Sequence, residues 1–127
     1  MLCSLAKLTA KVIFSVFDAS LARWSSQLRP AMEFMELNYN RPITLADIAH
    51  EAHLSVSRLA HLFREQVGIT LIDFLTNVRI NAAKRLMLKT EMNCTQVCFE
   101  VGYNNQSYFT RTFKQVTGMT PRQFRQA

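Results

Sequence analysis

Moving 50 positions along the chain carries Leu59 to Phe109, Phe63 to Phe113, Gly68 to Gly118, Thr70 to Thr120 and Phe74 to Phe124. The same unit is written twice, so whatever one copy folds into, the other should fold into as well. Upstream of these positions the offset drops by one, pairing Ala49 with Cys98, and the second copy therefore has one extra residue in its turn. Each copy reads as helix, tight turn, helix, with a small side chain where two helix backbones would cross. That is the layout of a helix-turn-helix, whose second helix enters a major groove.

The signals that delimit the helices are local. Pro30 opens a helix where its missing N–H does no harm, Met32, Met35 and Phe34 give it an apolar side up to Asn40, and Arg41-Pro42 ends it. Thr44 caps LADIAHEA, with Asp47 three residues on as an acidic near-match to a capping box. His53, Leu54 and Ser55 make the turn before VSRLAHLFREQV, which stops at Gly68. The longest helix starts at Thr70 or Leu71 and places Leu71, Phe74, Leu75, Val78, Ala82 and Leu86 on one stripe. Carried to Lys89, it is roughly 28 Å long. Asn93 or Thr95 caps the next helix, which ends at Gly102, and a last turn runs from Pro121 through Phe124. The prediction is an all-α fold of about seven helices: two helix-turn-helix subdomains, 44–68 and 93–118, joined by a connecting helix, 71–89. Ahead of them, residues 1–28 form an N-terminal amphipathic helical segment, with Leu2, Ala6, Ile13, Phe17, Leu21, Trp24 and Leu28 on one stripe. A second copy of the chain, a further domain and the chain's own main domain all remain open as what covers that stripe.

The stretch from Gly102 to Gly118 carries the functional signal. At 100° per residue, Phe109, Thr112, Phe113 and Val116 gather on one side of its helix, and Ser107, Thr110, Arg111 and Lys114 on the other. Asn105 and Gln106 stand at the helix entry, and a front of this kind suits base edges beside phosphates. The formal net charge of +6 and a pI near 9.7 favour an anionic partner. Beyond Glu100 there is no acidic residue, while Arg111, Lys114, Arg122 and Arg125 all follow. Phe109, Phe113, Tyr103 and Tyr108 read as core rather than as base-stacking residues.

Other chemistries find little support. Cys3, Cys94 and Cys98 form no disulfide framework and suit a reducing cytoplasm. His50, His53 and His61 stand at no zinc-finger spacing from them, so no metal or other cofactor is expected. Lys7, Lys11 and Asp18 interrupt the N-terminal apolar stretch well short of the roughly 18 to 20 residues of a membrane span, so no membrane partner is expected.

With these residues in place, the chain resembles the DNA-binding domain of the AraC/XylS family of bacterial transcription regulators. The resemblance runs from about Arg29 to Arg125 and is most specific in VGYNNQSYFTRTFKQVTGMTPRQFR; RPITLADIAHEAHLSVSRLAHLFREQVG and RINAAKRLM agree in order and spacing. It implies that 29–127 is one DNA-binding domain whose recognition helices, about 56–67 and 106–116, enter successive major-groove segments of double-stranded DNA. By family position, the residues expected to touch bases are Ser57, Ala60 and His61 in the first unit, and Gln106, Ser107, Thr110 and Arg111 in the second. Phosphate contacts are expected from Ser55, Arg58, Arg64, Asn105, Lys114, Thr120 and Arg122. A solvated surface is the competing reading for Arg58, Arg64 and His61, and Arg79 on the connecting helix either braces the two units or touches DNA. The family also implies activation of transcription through RNA polymerase and a cytoplasmic, nucleoid-associated location. Residues 1–28 resemble helices that end a regulatory and dimerisation domain, which implies a homodimer through that segment and leaves open a piece of a longer regulator or a short stand-alone member. His53 departs from the family, which usually has Gly at that turn position.

A DNA-binding regulator without enzymatic activity is thus the leading expectation. A protein-interaction module acting through the N-terminal stripe is the second. A DNA-repair enzyme is the third, and it lacks a cysteine in a polar pocket with a base nearby.

Overall fold

The computed structural model of the chain describes residues 26–126. The N-terminal stripe through Trp24, and the dimerisation expected of it, lie outside the described residues. Within them there are seven helices and no strand: α1 (Arg29–Asn38), α2 (Leu45–Glu51), α3 (Val56–Val67), α4 (Leu71–Lys89), α5 (Cys94–Glu100), α6 (Gln106–Thr117) and α7 (Pro121–Gln126).

The repeat is reproduced in detail. Helices α2 and α5 have 7 residues each, and both start with a complete capping box, Thr44 with Asp47 and Asn93 with Gln96. Helices α3 and α6 have 12 residues each, capped at the start by the side chains of Ser55 and Asn105 and stopped by left-handed Gly68 (φ 95°) and Gly118 (φ 85°). Next in both copies comes a capping threonine, Thr70 or Thr120, whose hydroxyl accepts from the amide three residues on. An aromatic lock closes each copy: Phe63 meets Phe74 edge-on at 5.5 Å, and Phe113 meets Phe124 edge-on at 5.5 Å. The start of α4 in the first copy thus corresponds to α7 in the second.

Helix α4 is the spine, and it serves two cores. Leu71, Phe74, Leu75 and Val78 join Leu28, Met32, Met35, Ile48, Leu59 and Phe63 in the first. Ile80, Ala82, Ala83 and Met87 join Val97, Cys98, Val101, Tyr103, Phe109 and Phe113 in the second. By helical periodicity Ile80, Ala83 and Met87 lie well round α4 from the first set, while Ala82 keeps to the first set's side. The single stripe read from the sequence stays buried through Ala82, with Leu86 half-buried against the second core, while Ile80, Ala83 and Met87 add a second side that the stripe left out. Leu28, placed by the sequence on the N-terminal stripe, is fully enclosed in the first core. Helix α1 ends at Asn38 rather than Asn40, because the chain turns there: the Arg41 amide donates to the Asn38 carbonyl, and the Tyr39 carbonyl is taken by Arg79.

Candidate nucleic-acid interface

The turns that aim α3 and α6 share one hydrogen-bond pattern. In the first, the Leu54 amide donates to the Ala49 carbonyl and the His53 amide to the His50 carbonyl; in the second, the Tyr103 amide donates to Cys98 and the Gly102 amide to Phe99. This pair of bonds requires a left-handed residue between helix and turn. Gly102 supplies it at φ 102° and His53 at φ 58°, which makes His53 the one non-glycine with positive φ among the described residues. A side chain there is strained by about 1 kcal/mol. The extra residue of the second turn falls between this left-handed residue and the cap Asn105, as the shift from 49 to 50 requires.

Each recognition helix is anchored by its apolar back and leaves its front open. Leu59, Leu62 and Phe63 hold α3, and Phe109, Thr112 and Phe113 hold α6. On α3, Ser57, Ala60, His61, Arg58 and Arg64 are all exposed; on α6, Gln106, Ser107, Arg111 and Lys114 are exposed and Thr110 is half-buried. The caps Ser55 and Asn105 are exposed but already accept from the Arg58 and Tyr108 amides at 3.1 and 2.9 Å. Thr120 is half-buried and caps α7, and Arg122 is exposed beside it.

Three readings need correction. Tyr108, expected in the core, is 51% exposed, because its place in the repeat is that of solvated Arg58. Its ring lies under the Arg111 guanidinium at 6.0 Å, a cation–π contact that steadies Arg111. Val116, assigned to the apolar back of α6, is 41% exposed, since the aromatic side chains ahead of it already close the core. Arg125 adds little to the basic front: its guanidinium turns inward and donates to the carbonyls of Met87 and Thr90 at 3.2 and 3.5 Å and to that of Met92. There it ties α7 to the negative end of α4.

Two features escaped the sequence reading. The Thr95 hydroxyl of α5 donates to the Gln106 side-chain oxygen at 3.0 Å, which orients the first side chain of α6. On α3, Glu65 stands 3.8 Å from His61, one turn along the same exposed face. The i, i+4 spacing of that pair was available as a signal. In α6 the matching residue is Gln115. The front of the first unit is therefore mixed in sign and that of the second is free of acid.

No group of three or more His, Cys, Asp or Glu side chains among the described residues could hold a metal ion. Burial pushes the Cys98 thiol up from its ordinary pKa, the opposite of an activated nucleophile. No described helix is long and apolar enough to cross a membrane.

Two helix-turn-helix units set on one helical spine, each with a polar front on its second helix, define a DNA-binding protein of the double helix-turn-helix type. Residues 48–127 match the sequence profile of a family described as a helix-turn-helix domain. The arabinose operon regulatory protein of Salmonella typhimurium is 43% identical over 81 residues, 64% of this chain and 29% of that protein. The bifunctional transcriptional activator/DNA repair enzyme AdaA of Bacillus subtilis is 34% identical over 94 residues, 74% of this chain and 44% of that protein. Among solved structures, the C-terminal domain of the response regulator AraT from Geobacillus stearothermophilus superposes with a TM-score of 0.79 at 30% identity, covering 82% of this chain and 87% of that one. The chain belongs to the AraC/XylS family of DNA-binding transcription regulators. Its matched region spans less than a third of the arabinose regulator.

Proposed function

We propose that this chain is a sequence-specific transcription activator that places α3 and α6 in successive major-groove segments on one face of a duplex. What carries the reading is the pairing of two helices of 12 residues, capped and anchored alike, whose polar fronts carry Ser, His, Arg and Glu on α3 and Gln, Ser, Thr, Arg and Lys on α6. In this reading Ser57, Ala60 and His61 meet bases through α3, and Gln106, Ser107, Thr110 and Arg111 through α6. Arg111, steadied on Tyr108, is the side chain suited to a bidentate pair with guanine. The Gln106 oxygen accepts from Thr95, so its amide N–H groups are the part offered to a base acceptor. Ser55, Arg58, Arg64, Asn105, Lys114, Thr120 and Arg122 meet phosphates and fix the register without reading sequence.

The chain acts as a binder without catalysis or cofactor, in the cytoplasm and on the nucleoid. Activation proceeds through contact with RNA polymerase, and residues 1–28 pair two copies, with Leu28 at their end anchored in the core of the 29–127 domain. Binding to duplex DNA measured across a salt series tests the core of this reading. A linear fall of log affinity with log salt, together with a preferred sequence held over random duplex, is the expected result. Equal affinity for all duplexes at every salt concentration overturns it.

A further inference from the structure

Outside α4 itself, the two units have few ways to hold each other. Every extensive helix packing lies within one unit or runs through α4. A helical spine fixes the distance between two heads better than the angle between them, because side chains on its opposite faces adjust independently. Midway along it, between the two cores, stands Arg79. Its Nε–H donates to the Tyr39 carbonyl at 2.8 Å and an Nη2 hydrogen to the Arg41 carbonyl at 3.2 Å, both in the chain leaving α1. The same guanidinium lies 5.7 Å from the centre of the Tyr103 ring, in the turn of the second unit. Gly102 completes the joint: a Cβ there would stand 2.5 Å from the Tyr39 carbonyl oxygen and 3.2 Å from Arg79 Nε. The backbones of the two units thus meet at a place only glycine allows. Tyr39 itself packs against both cores. Burial lowers the Arg79 pKa from its usual value; an arginine guanidinium nonetheless keeps its charge in proteins, so the charge serves these contacts.

We propose that Arg79, clasping the Tyr39 and Arg41 carbonyls against the Gly102-Tyr103 turn, locks the two units at one mutual angle and thereby sets the half-site spacing that the pair of reading helices accepts. The spacing part rests on the two-headed reading above; the lock does not. Arg79 is a positioning residue in this scheme, with its guanidinium committed to the protein's own carbonyls rather than to DNA. A planar fork is needed to reach two carbonyls and a ring at once, which is why lysine is a poor replacement.

Two measurements on the full chain test this. Spin labels at Glu65→Cys and Gln115→Cys, with Cys3 and Cys94 replaced by serine and buried Cys98 left in place, report the separation of α3 and α6 without DNA. A single narrow distance distribution is expected with Arg79 present, and a broadened or displaced one in Arg79→Met. In binding, lengthening the spacer of a two-half-site duplex by one base pair should weaken the unlabelled parent on the order of tenfold and Arg79→Met on the order of threefold or less, with a lone half-site bound alike by both. Arg79→Lys, which keeps the charge, should fall between them and serves if the methionine variant fails to melt cooperatively. An unchanged distance distribution in the variants overturns the lock. An unchanged distribution with an unchanged spacer penalty overturns the whole proposal, whereas a parent indifferent to spacing while the labels still respond to Arg79 overturns only the two-headed reading and the spacing that rests on it.

Discussion

The two helix-turn-helix units are copies in architecture and unlike in chemistry. Caps, helix lengths, left-handed stops and the aromatic lock recur at an offset of 49 or 50 residues. Of the positions that face outward, Ser57 recurs as Ser107 but most do not. Arg111 stands where the first unit has His61, Lys114 where it has Arg64, Thr110 where it has Ala60 and Gln115 where it has Glu65. The turns differ too, His53 against Gly102 at the same left-handed position. Packing constrains the buried half of each repeat to stay alike, and the exposed half is free to diverge toward separate tasks. In the proposed reading this makes α6 the stronger reader and α3 its weaker companion, held by a shared spine.

The largest contrast should come from the turns. Gly102→Ala puts a methyl group into the Tyr39 carbonyl at a φ that disfavours side chains, and a loss of about 2 to 4 kcal/mol in urea unfolding is expected. A loss below that of an ordinary surface substitution would mean that the second turn is no tighter than the first. Next in size is the difference between the heads. Arg111→Ala should weaken binding to the preferred duplex by about 1 to 3 kcal/mol and relax one base position, and His61→Ala by less than about 1 kcal/mol. Competition binding with single-base variants of the preferred duplex reads both effects, and a larger loss from His61→Ala would reverse the ranking of the heads.

Glu65→Gln makes the first front resemble the second. If α3 lies in a groove between phosphates as proposed, removing this carboxylate and freeing His61 from it should strengthen binding to all duplexes by about 0.3 to 1 kcal/mol. Weaker binding would assign Glu65 a positive role in recognition. The smallest effect is expected from His53→Gly, a gain of about 0.5 kcal/mol in unfolding free energy once left-handed strain is set against the added freedom of the unfolded chain. Thermal melts that show destabilisation would mean that the exposed imidazole makes a contact worth more than its strain.

Much of this molecule was legible in its sequence, for reasons visible at particular residues. Thr44, Asn93, Gly68 and Gly118 carry their conformational role in their own side chains or lack of one, so helix limits could be read locally. The repeat then supplied the pairing of the units. The second core of α4 was only partly legible, because Ala82 stays on the stripe whereas Ile80, Ala83 and Met87 leave it and break the period on which the reading relies. Tyr108 and Val116 were misplaced because apolar character alone does not say which residues a short helix finally covers. The Thr95 to Gln106 bond and the clasp of Arg79 on Tyr39 and Arg41 span 11 and about 40 residues, and no local pattern announces such contacts. Even so, the base-facing and phosphate-facing candidates all fall on exposed or half-exposed positions of α3, α6, their caps and the start of α7.

The inequality of the heads is tested most directly by selecting bound sites from a random duplex pool with the parent chain and with Arg111→Ala. Two conserved blocks about 10 base pairs apart are predicted, one sharply defined and one loose, with the sharp block erased by the substitution. Two equally sharp blocks, or a sharp block that survives Arg111→Ala, would contradict a pair in which α6 does most of the reading.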